Sequence, residues 1–80
     1  MPVIFRRGGL RFFFYSDEGT PREPPHIHVR RAGCEAKLWL SPDLSEARNY
    51  GFSSRELRDI RKLIEEHREQ IERTWAEFFG

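Results

Sequence analysis

Hydrophobic and polar residues alternate strictly along two short segments in the first half of the chain, which is the pattern of a β-hairpin. The apolar or small positions are Ile27, Val29, Cys34, Ala36, Leu38 and Leu40. The positions between them are His26, His28, Arg30, Glu35, Lys37 and Trp39. Because successive side chains of a strand point to opposite faces, the first set forms an apolar face and the second set a polar and aromatic face.

A turn centred on residues 32–33 determines how the two arms of this hairpin pair. It places Ile27 opposite Leu38 and Val29 opposite Ala36 on the apolar face. On the other face it pairs Arg30 with Glu35, His28 with Lys37, and His26 with Trp39. Alanine is unfavourable at a turn position with φ > 0, so a loop longer than two residues is the alternative.

Two more strands are predicted before the hairpin, at Val3 to Phe5 and at Leu10 to Tyr15. The second of these carries aromatic residues on both faces, which predicts either a central strand covered on both sides or an exposed apolar surface. Residues 16–25 are rich in proline and polar residues and are predicted to form a loop. For residues 44–50, a short strand and an irregular segment both remain open.

From Ser53 onwards the hydrophobic pattern has the period of a helix. Ser53 and Glu56 have the spacing of a capping box, and Phe52 is placed to contact Leu57. The apolar stripe consists of Leu57, Ile60, Ile64, His67, Ile71, Trp75 and Phe78. A continuous helix of about 26 residues would extend about 39 Å, whereas a small domain is only about 30 Å across. We therefore expect either a break near residues 66–68 or a helix end that packs on a second subunit.

Together these elements predict an α+β fold, a small antiparallel sheet of three to four strands packed on one long or broken C-terminal helix. A chain of 80 residues is large enough for one core, so we expect a single domain over residues 1–80. The helix is expected to cover the sheet face that carries Phe12, Phe14, Ile27, Val29 and Leu38.

Composition and charge narrow the range of functions. Cys34 is the only cysteine, which excludes an intrachain disulfide. The sequence has neither a signal-peptide pattern nor an apolar run of about 18 residues, so we expect a cytoplasmic protein that does not contact a membrane. Residues 1–33 contain six arginines and three acidic residues, a net charge of +3, although the whole chain carries only +1. This excess favours an anionic partner, but it is also within the range of an ordinary protein surface.

His26 and His28 are the first candidates for chemistry, because an i,i+2 pair on a strand projects from one face with Cα atoms about 7 Å apart. This spacing occurs both in metal sites and in acid/base pairs. Cys34 and His67 are expected to face the core, away from the pair, and only carboxylates such as Asp17, Glu18 and Glu35 remain as further ligands. We therefore expect no metal and no cofactor.

Basic groups that alternate with flat rings are typical of a surface that binds a partner, and single-stranded nucleic acid is one such partner. The residues expected to bind are Pro25, His26, His28, Trp39, Phe13 and Tyr15. Arg11 is expected on the same face if the second strand lies alongside the hairpin. Burial of these rings against a second subunit, in a homodimer, is a purely structural explanation of the same face. A metal-independent ribonuclease is the enzymatic alternative. In that case His26 and His28 would transfer protons, and Arg30 or Lys37 would stabilise the phosphate.

Several motifs point to one protein family. They are Pro24-Pro25-His26-Ile27-His28-Val29, Ala36-Lys37-Leu38-Trp39-Leu40, Tyr50-Gly51-Phe52-Ser53 with Glu56-Leu57, and Trp75 with Phe78-Phe79. With these motifs the chain resembles an uncharacterised prokaryotic family, domain of unknown function 4160. The resemblance implies a gene beside that of a second small family of unknown function, number 2442, in a two-gene layout like that of a toxin and its antitoxin.

The resemblance implies no established activity, so whether the chain is an enzyme stays open. It also implies that asparagine is frequent at position 67, which favours a helix break there. We therefore expect an interaction module of a toxin-antitoxin-like operon that binds a small cognate protein from the neighbouring gene.

Overall fold

The computed structural model describes residues 3–15 and 23–79, which form a five-stranded antiparallel sheet followed by two helices. The elements are β1 (Val3–Arg7), β2 (Leu10–Phe13), β3 (His26–Arg31), β4 (Cys34–Trp39), β5 (Ser45–Tyr50), α1 (Ser54–Glu66) and α2 (Arg68–Phe79). Each strand pairs with the next one along the chain. The α+β class is confirmed, but the expected count of three to four strands is wrong because β5 adds a fifth.

The central hairpin, β3 and β4, has the predicted register. Ile27 lies opposite Leu38 and Val29 opposite Ala36. The three polar pairs are confirmed as well, namely Arg30 with Glu35, His28 with Lys37, and His26 with Trp39. The turn is nevertheless the short one, since Arg31 pairs with Cys34 and Ala32 adopts a φ of 52°. A longer loop is therefore not needed, and Ala32 occupies the left-handed conformation that the sequence disfavours.

Residues 44–50, for which two interpretations were open, contain the edge strand β5. Its pairing with β4 is interrupted at Ala47, because Arg48 lies opposite Lys37 but Glu46 lies opposite Leu38. Such a bulge adds one residue to the strand and breaks the alternation of side chains. This explains why the sequence pattern of this segment did not decide between the two interpretations.

The two helices cover one face of the sheet and form the core with it, as expected. Ile60 and Ile64 of α1 and Ile71 of α2 are completely buried. From the sheet side they meet Phe12, Phe14, Ile27, Val29 and Leu38, all with no exposed surface. Full burial of an aliphatic or aromatic side chain stabilises a fold by about 1.5 to 3 kcal/mol, so this cluster is the main source of stability.

The predicted capping box is present at the start of α1. The Ser53 backbone N–H donates to Glu56 Oε1 at 2.8 Å, and the Glu56 N–H donates to Ser53 Oγ at 3.1 Å. Arg31 donates to the other carboxylate oxygen of Glu56 at 2.6 Å, which joins the hairpin to the helix. The pKa of Glu56 lies below its ordinary value of 4.5. The hydrogen bond from the Ser53 backbone is the largest cause, followed by the hydrogen bond with the Ser53 side chain, and the guanidinium of Arg31 lowers the pKa as well.

The helical region breaks at His67, within the predicted interval. This residue has φ −108° and ψ 15°, and its ring stacks on that of Phe5 with 3.9 Å between centroids. Its Nδ1 lies 2.9 Å from the Leu63 carbonyl oxygen, a contact that requires the proton on Nδ1. Arg68 then donates to the carbonyl of Leu40 at 2.6 Å, which attaches the start of α2 to the sheet. The break thus lets both helices lie within a molecule whose longest extent is 33 Å.

Most of the predicted loop, residues 16–22, lies outside the described residues. Neither helix in the described ranges has a stretch long and apolar enough to cross a lipid bilayer.

Candidate functional site

The sheet face opposite the helices carries the polar and aromatic positions of the hairpin, and we call it the second face. Its side chains lie in rows, because residues of neighbouring strands are directly opposite each other. One row crosses all five strands through Arg6, Arg11, Arg30, Glu35 and Tyr50. The next row contains Val3, Phe13, His28, Lys37 and Arg48.

His28 lies at the centre of the second face and is completely buried. The ring of Phe13 stacks beside it at 5.6 Å, and the ring of Tyr15 packs edge-on at 4.6 Å. The Tyr15 hydroxyl continues past the imidazole and donates to Glu35 Oε2 at 3.3 Å. Nδ1 of His28 lies 3.9 Å from the same oxygen. Tyr15 and Phe13 thus enclose a histidine that faces a carboxylate.

His26 is also completely buried, at the end of the sheet. Its Nδ1 lies 3.0 Å from the carbonyl oxygen of Pro24, and its ring packs against Trp39 at 5.5 Å. The ring of Trp75 in α2 packs on it as well, at 5.2 Å, and also contacts Phe14. His26 therefore lies on the predicted face, opposite Trp39, but it also contacts the helical layer, which the sequence did not indicate. Since His26 is the first residue of β3, the end of α2 reaches it past the end of the sheet.

The two cations predicted to stabilise phosphate both have carboxylate partners. Arg30 Nη2 lies 3.3 Å from Glu35 Oε1. Lys37 Nζ lies 3.0 Å from Glu23 Oε1 and 4.5 Å from the ring centroid of Trp39. The Lys37 side chain is only 12% exposed, so its charge is largely taken up by these two contacts.

The structure thus brings together most of the predicted binding residues as one packed group, which we call the buried cluster. Its members are Phe13, Tyr15, His26, His28 and Trp39. Pro25 lies beside the cluster, half-buried, and its carbonyl accepts a hydrogen bond from the Leu40 N–H at 2.9 Å. A phosphate would have to displace Tyr15 to reach His28, so this geometry gives no support to the ribonuclease alternative. The catalytic assignment of His26, His28, Arg30 and Lys37 stays a prediction.

Metal ligands are sparse around the histidine pair. Within residues 3–15 and 23–79, no three histidine, cysteine, aspartate or glutamate side chains are grouped as a metal ion would require. Cys34 packs against the core, and His67 stacks on Phe5, which packs against the same core. Asp17 and Glu18, which were considered as ligands, lie outside the described residues.

Sequence reasoning missed three residues of the second face, namely Arg6, Arg48 and Tyr50, whereas Arg11 lies where it was expected once β2 pairs with the hairpin. Arg6 and Arg48 are cations in register with the predicted residues, and Tyr50 is 64% exposed. The excess of arginine in residues 1–33 was a sequence signal for Arg6, but it did not extend to Arg48 or Tyr50. Placing these residues required the pairing of β1 with β2 and of β4 with β5, which no short sequence pattern encodes.

A groove beside the edge strand β5 is a second feature that the sequence did not indicate. It has a volume of about 340 Å³ and is lined by Glu46, Ser54, Leu57, Arg58 and Arg61. It runs between β5 and α1, next to a sheet edge that pairs with no other strand in the described part of the chain. The groove offers an apolar contact at Leu57 and two exposed arginines.

Residues 9–76 match the model of a protein family described as Domain of unknown function (DUF4160). The chain belongs to this family. The match runs from the start of β2 to within α2, so it contains the hairpin, the buried cluster and the β5 edge of this family member. Searches of curated proteins and of solved structures found no match.

Proposed function

We propose that this family member is the interaction module of a two-gene, toxin-antitoxin-like system and binds a small cognate protein encoded beside it. The observation that carries the proposal is the outer edge of β5, which pairs with no other strand among the described residues and borders the groove. Such an edge presents a row of backbone donors and acceptors that an extended segment of another protein can pair with.

The other edge of the sheet, β1, is less accessible than β5. The Gln70 side chain of α2 donates to the carbonyl of Ile4 at 3.2 Å, so part of the β1 backbone is already engaged. β5 has six residues and no proline, which is long enough to accept a paired strand. We therefore place the cognate protein at β5.

The groove indicates which kind of segment would bind. Leu57 is half-buried and provides an apolar contact, and Arg58 and Arg61 flank it with positive charge. Because alternate side chains of an added strand point to the same face, a segment with apolar and acidic residues in alternation fits this surface.

The buried cluster on the second face has a different part in this proposal. Phe13, His26 and His28 have no exposed surface, so they contribute nothing to an interface unless the fold opens. They hold β2, β3 and β4 together and thereby keep β5 in place as a rigid edge.

Co-purification with the product of the neighbouring gene tests this function. We expect a stable complex with the wild-type chain and a loss of affinity of about tenfold, or about 1.4 kcal/mol, in the double variant Arg58→Glu/Arg61→Glu. Both residues are exposed, so the variant keeps its fold. Lys62→Glu makes the same charge change as either of these substitutions alone, on the same helix but outside the groove, and should leave the affinity within about twofold.

The two parts of the proposal fail in different ways. Absence of any complex with the wild-type chain would refute the function itself. A complex that loses affinity equally with Lys62→Glu would leave the function standing but would refute the β5 groove as its site. Gel filtration of the chain alone shows whether a second copy occupies the edge instead.

A further inference from the structure

We infer that the second face of the sheet carries a binding site for single-stranded nucleic acid, built around a row of three arginines. Arg6, Arg11 and Arg30 lie directly opposite one another on β1, β2 and β3. Neighbouring strands are about 4.8 Å apart, so the row spans about 10 Å. Like charges directly opposite each other on a sheet are unfavourable, and an anion bound across them removes this cost.

The chain itself neutralises only part of this charge. Arg30 shares Glu35 with the Tyr15 hydroxyl, and the side chain of Arg30 is still 43% exposed. Arg6 and Arg11 form no ion pair with any residue in the described ranges.

Lys37 and Arg48 extend the positive surface in the next row, towards β5. Lys37 is paired with Glu23, whereas Arg48 is exposed and has no carboxylate partner in the described part of the chain. Among the described residues, the face therefore holds five cations, Arg6, Arg11, Arg30, Lys37 and Arg48, against the two carboxylates of Glu23 and Glu35. These described residues carry a net charge of +3 on one face, whereas the whole chain carries +1.

The exposed ring of Tyr50 favours nucleic acid over other anions as the ligand of this face. It ends the same row, opposite Glu35, and at 64% it is more exposed than Val3 or Phe78, the other exposed large apolar residues described. A flat ring on a cationic sheet face offers a stacking position for a base, while the guanidinium groups meet consecutive phosphates. A duplex keeps its bases stacked internally and cannot use the ring, so the arrangement favours a single strand.

This inference does not rest on the proposed protein interaction. The arginine row lies on the face turned away from the helices, and the groove lies between β5 and α1 on the other side. Variants of one surface therefore leave the other unchanged, and each proposal can fail alone.

Fluorescence anisotropy with a labelled oligouridine of about 10 nucleotides tests the site on the full chain. Contacts of three arginines with phosphates predict that log affinity falls against log salt concentration with a slope of about −2, since each phosphate contributes about −0.7. In the double variant Arg6→Gln/Arg11→Gln the slope should fall to about −0.7. Arg7→Gln is the control for the loss of one arginine from β1, because Arg7 is exposed on the same strand as Arg6 but lies opposite Leu10, on the helix side of the sheet.

Two further readouts separate binding from a structural effect. Tyr50→Ala should weaken binding by at least about fivefold and leave the salt slope unchanged. Arg6→Gln/Arg11→Gln should raise the midpoint of thermal unfolding while it weakens binding, because it removes like-charge repulsion. Binding without salt dependence, an equal effect of Arg7→Gln, or a duplex RNA that binds as tightly as the single strand would overturn the inference.

Discussion

At the scale of the residue, Glu35 organises the second face. Its carboxylate accepts a hydrogen bond from Tyr15, pairs with Arg30, and faces Nδ1 of His28. A carboxylate that is only 24% exposed is stabilised by such donors, and in return it holds the ring of Tyr15 across His28. One side chain therefore links the covered half of the face to the arginine row.

The sequence predicted which strand face carries each of these residues, but it did not predict their burial. Alternation assigns His26 and His28 to the face away from the core, and it says nothing about what lies over them. Tyr15 lies two residues beyond the end of β2 and packs on His28, and Trp75 contacts His26 from α2. Both contacts join residues distant in sequence, which local patterns do not encode.

Glu56 provides a prediction about pH. Its pKa is lowered in the folded protein, so the folded state favours the ionised carboxylate more than the unfolded state does. Its contribution to the free energy of unfolding is therefore fully present above pH 4.5, its ordinary pKa, and is lost as the pH falls through the lower folded value. Urea unfolding should show wild type more stable than Glu56→Gln at pH 6, with a smaller difference at pH 3.

The variant Ser53→Ala is a control for the pH dependence attributed to Glu56. Ser53→Ala removes the hydroxyl half of the capping box and leaves the Arg31 pair, so it should reduce the pH-dependent difference without abolishing it. A stability difference between wild type and Glu56→Gln that stays constant from pH 6 to pH 3 would contradict the lowered pKa.

At the scale of the element, the sequence predicted the β3–β4 hairpin with its register and the start of α1. Both carry redundant signals, since two faces of the hairpin agree on one register and Ser53 and Glu56 specify one helix start. The sequence did not predict whether residues 44–50 form a strand, because the bulge of β5 breaks the alternation and its side chains are mostly polar. Length left open either a break near His67 or a helix end packed on a second subunit, and the family resemblance favoured the break. The stack on Phe5 that accompanies the break was not predicted.

Gly51 joins β5 to α1 and provides a prediction about this junction. Its φ is +99°, and a Cβ atom there would lie 2.8 Å from Cys34 Sγ. Gly51→Ala should therefore lower the free energy of unfolding by about 1 to 3 kcal/mol for the backbone conformation, with a further loss from the close contact. Urea or thermal unfolding of the purified variant measures the sum.

Alanine variants of two other glycines distinguish the cost of the backbone conformation from the cost of the close contact. Gly8 has φ +56° but open space around it, so Gly8→Ala should show the conformational cost alone. For Gly33 no atom lies within 4 Å of the added Cβ and φ is outside the left-handed range, so Gly33→Ala should cause no loss. If Cys34→Ala does not reduce the cost of Gly51→Ala, the close contact is not its source.

At the scale of the whole molecule, charge and strand pairing are distributed unevenly. The helices cover one sheet face, the arginine row lies on the other, and β5 leaves one edge unpaired by any described residue. The sequence indicated the charge asymmetry, since residues 1–33 carry the arginine excess. It did not indicate that Arg6, Arg11 and Arg30 line up, because that depends on three strands that meet only in the folded sheet.

The cognate protein is proposed to bind at the β5 edge, and hydrogen exchange of the backbone amides tests this claim. The full chain is compared with and without an equimolar amount of the neighbouring gene product. Pairing of a partner strand with Ser45–Tyr50 should slow exchange at the outward amides of β5 by at least about tenfold and leave those of β1 unchanged. A complex that forms while β5 exchanges as before, or that protects β1 instead, would contradict the claim.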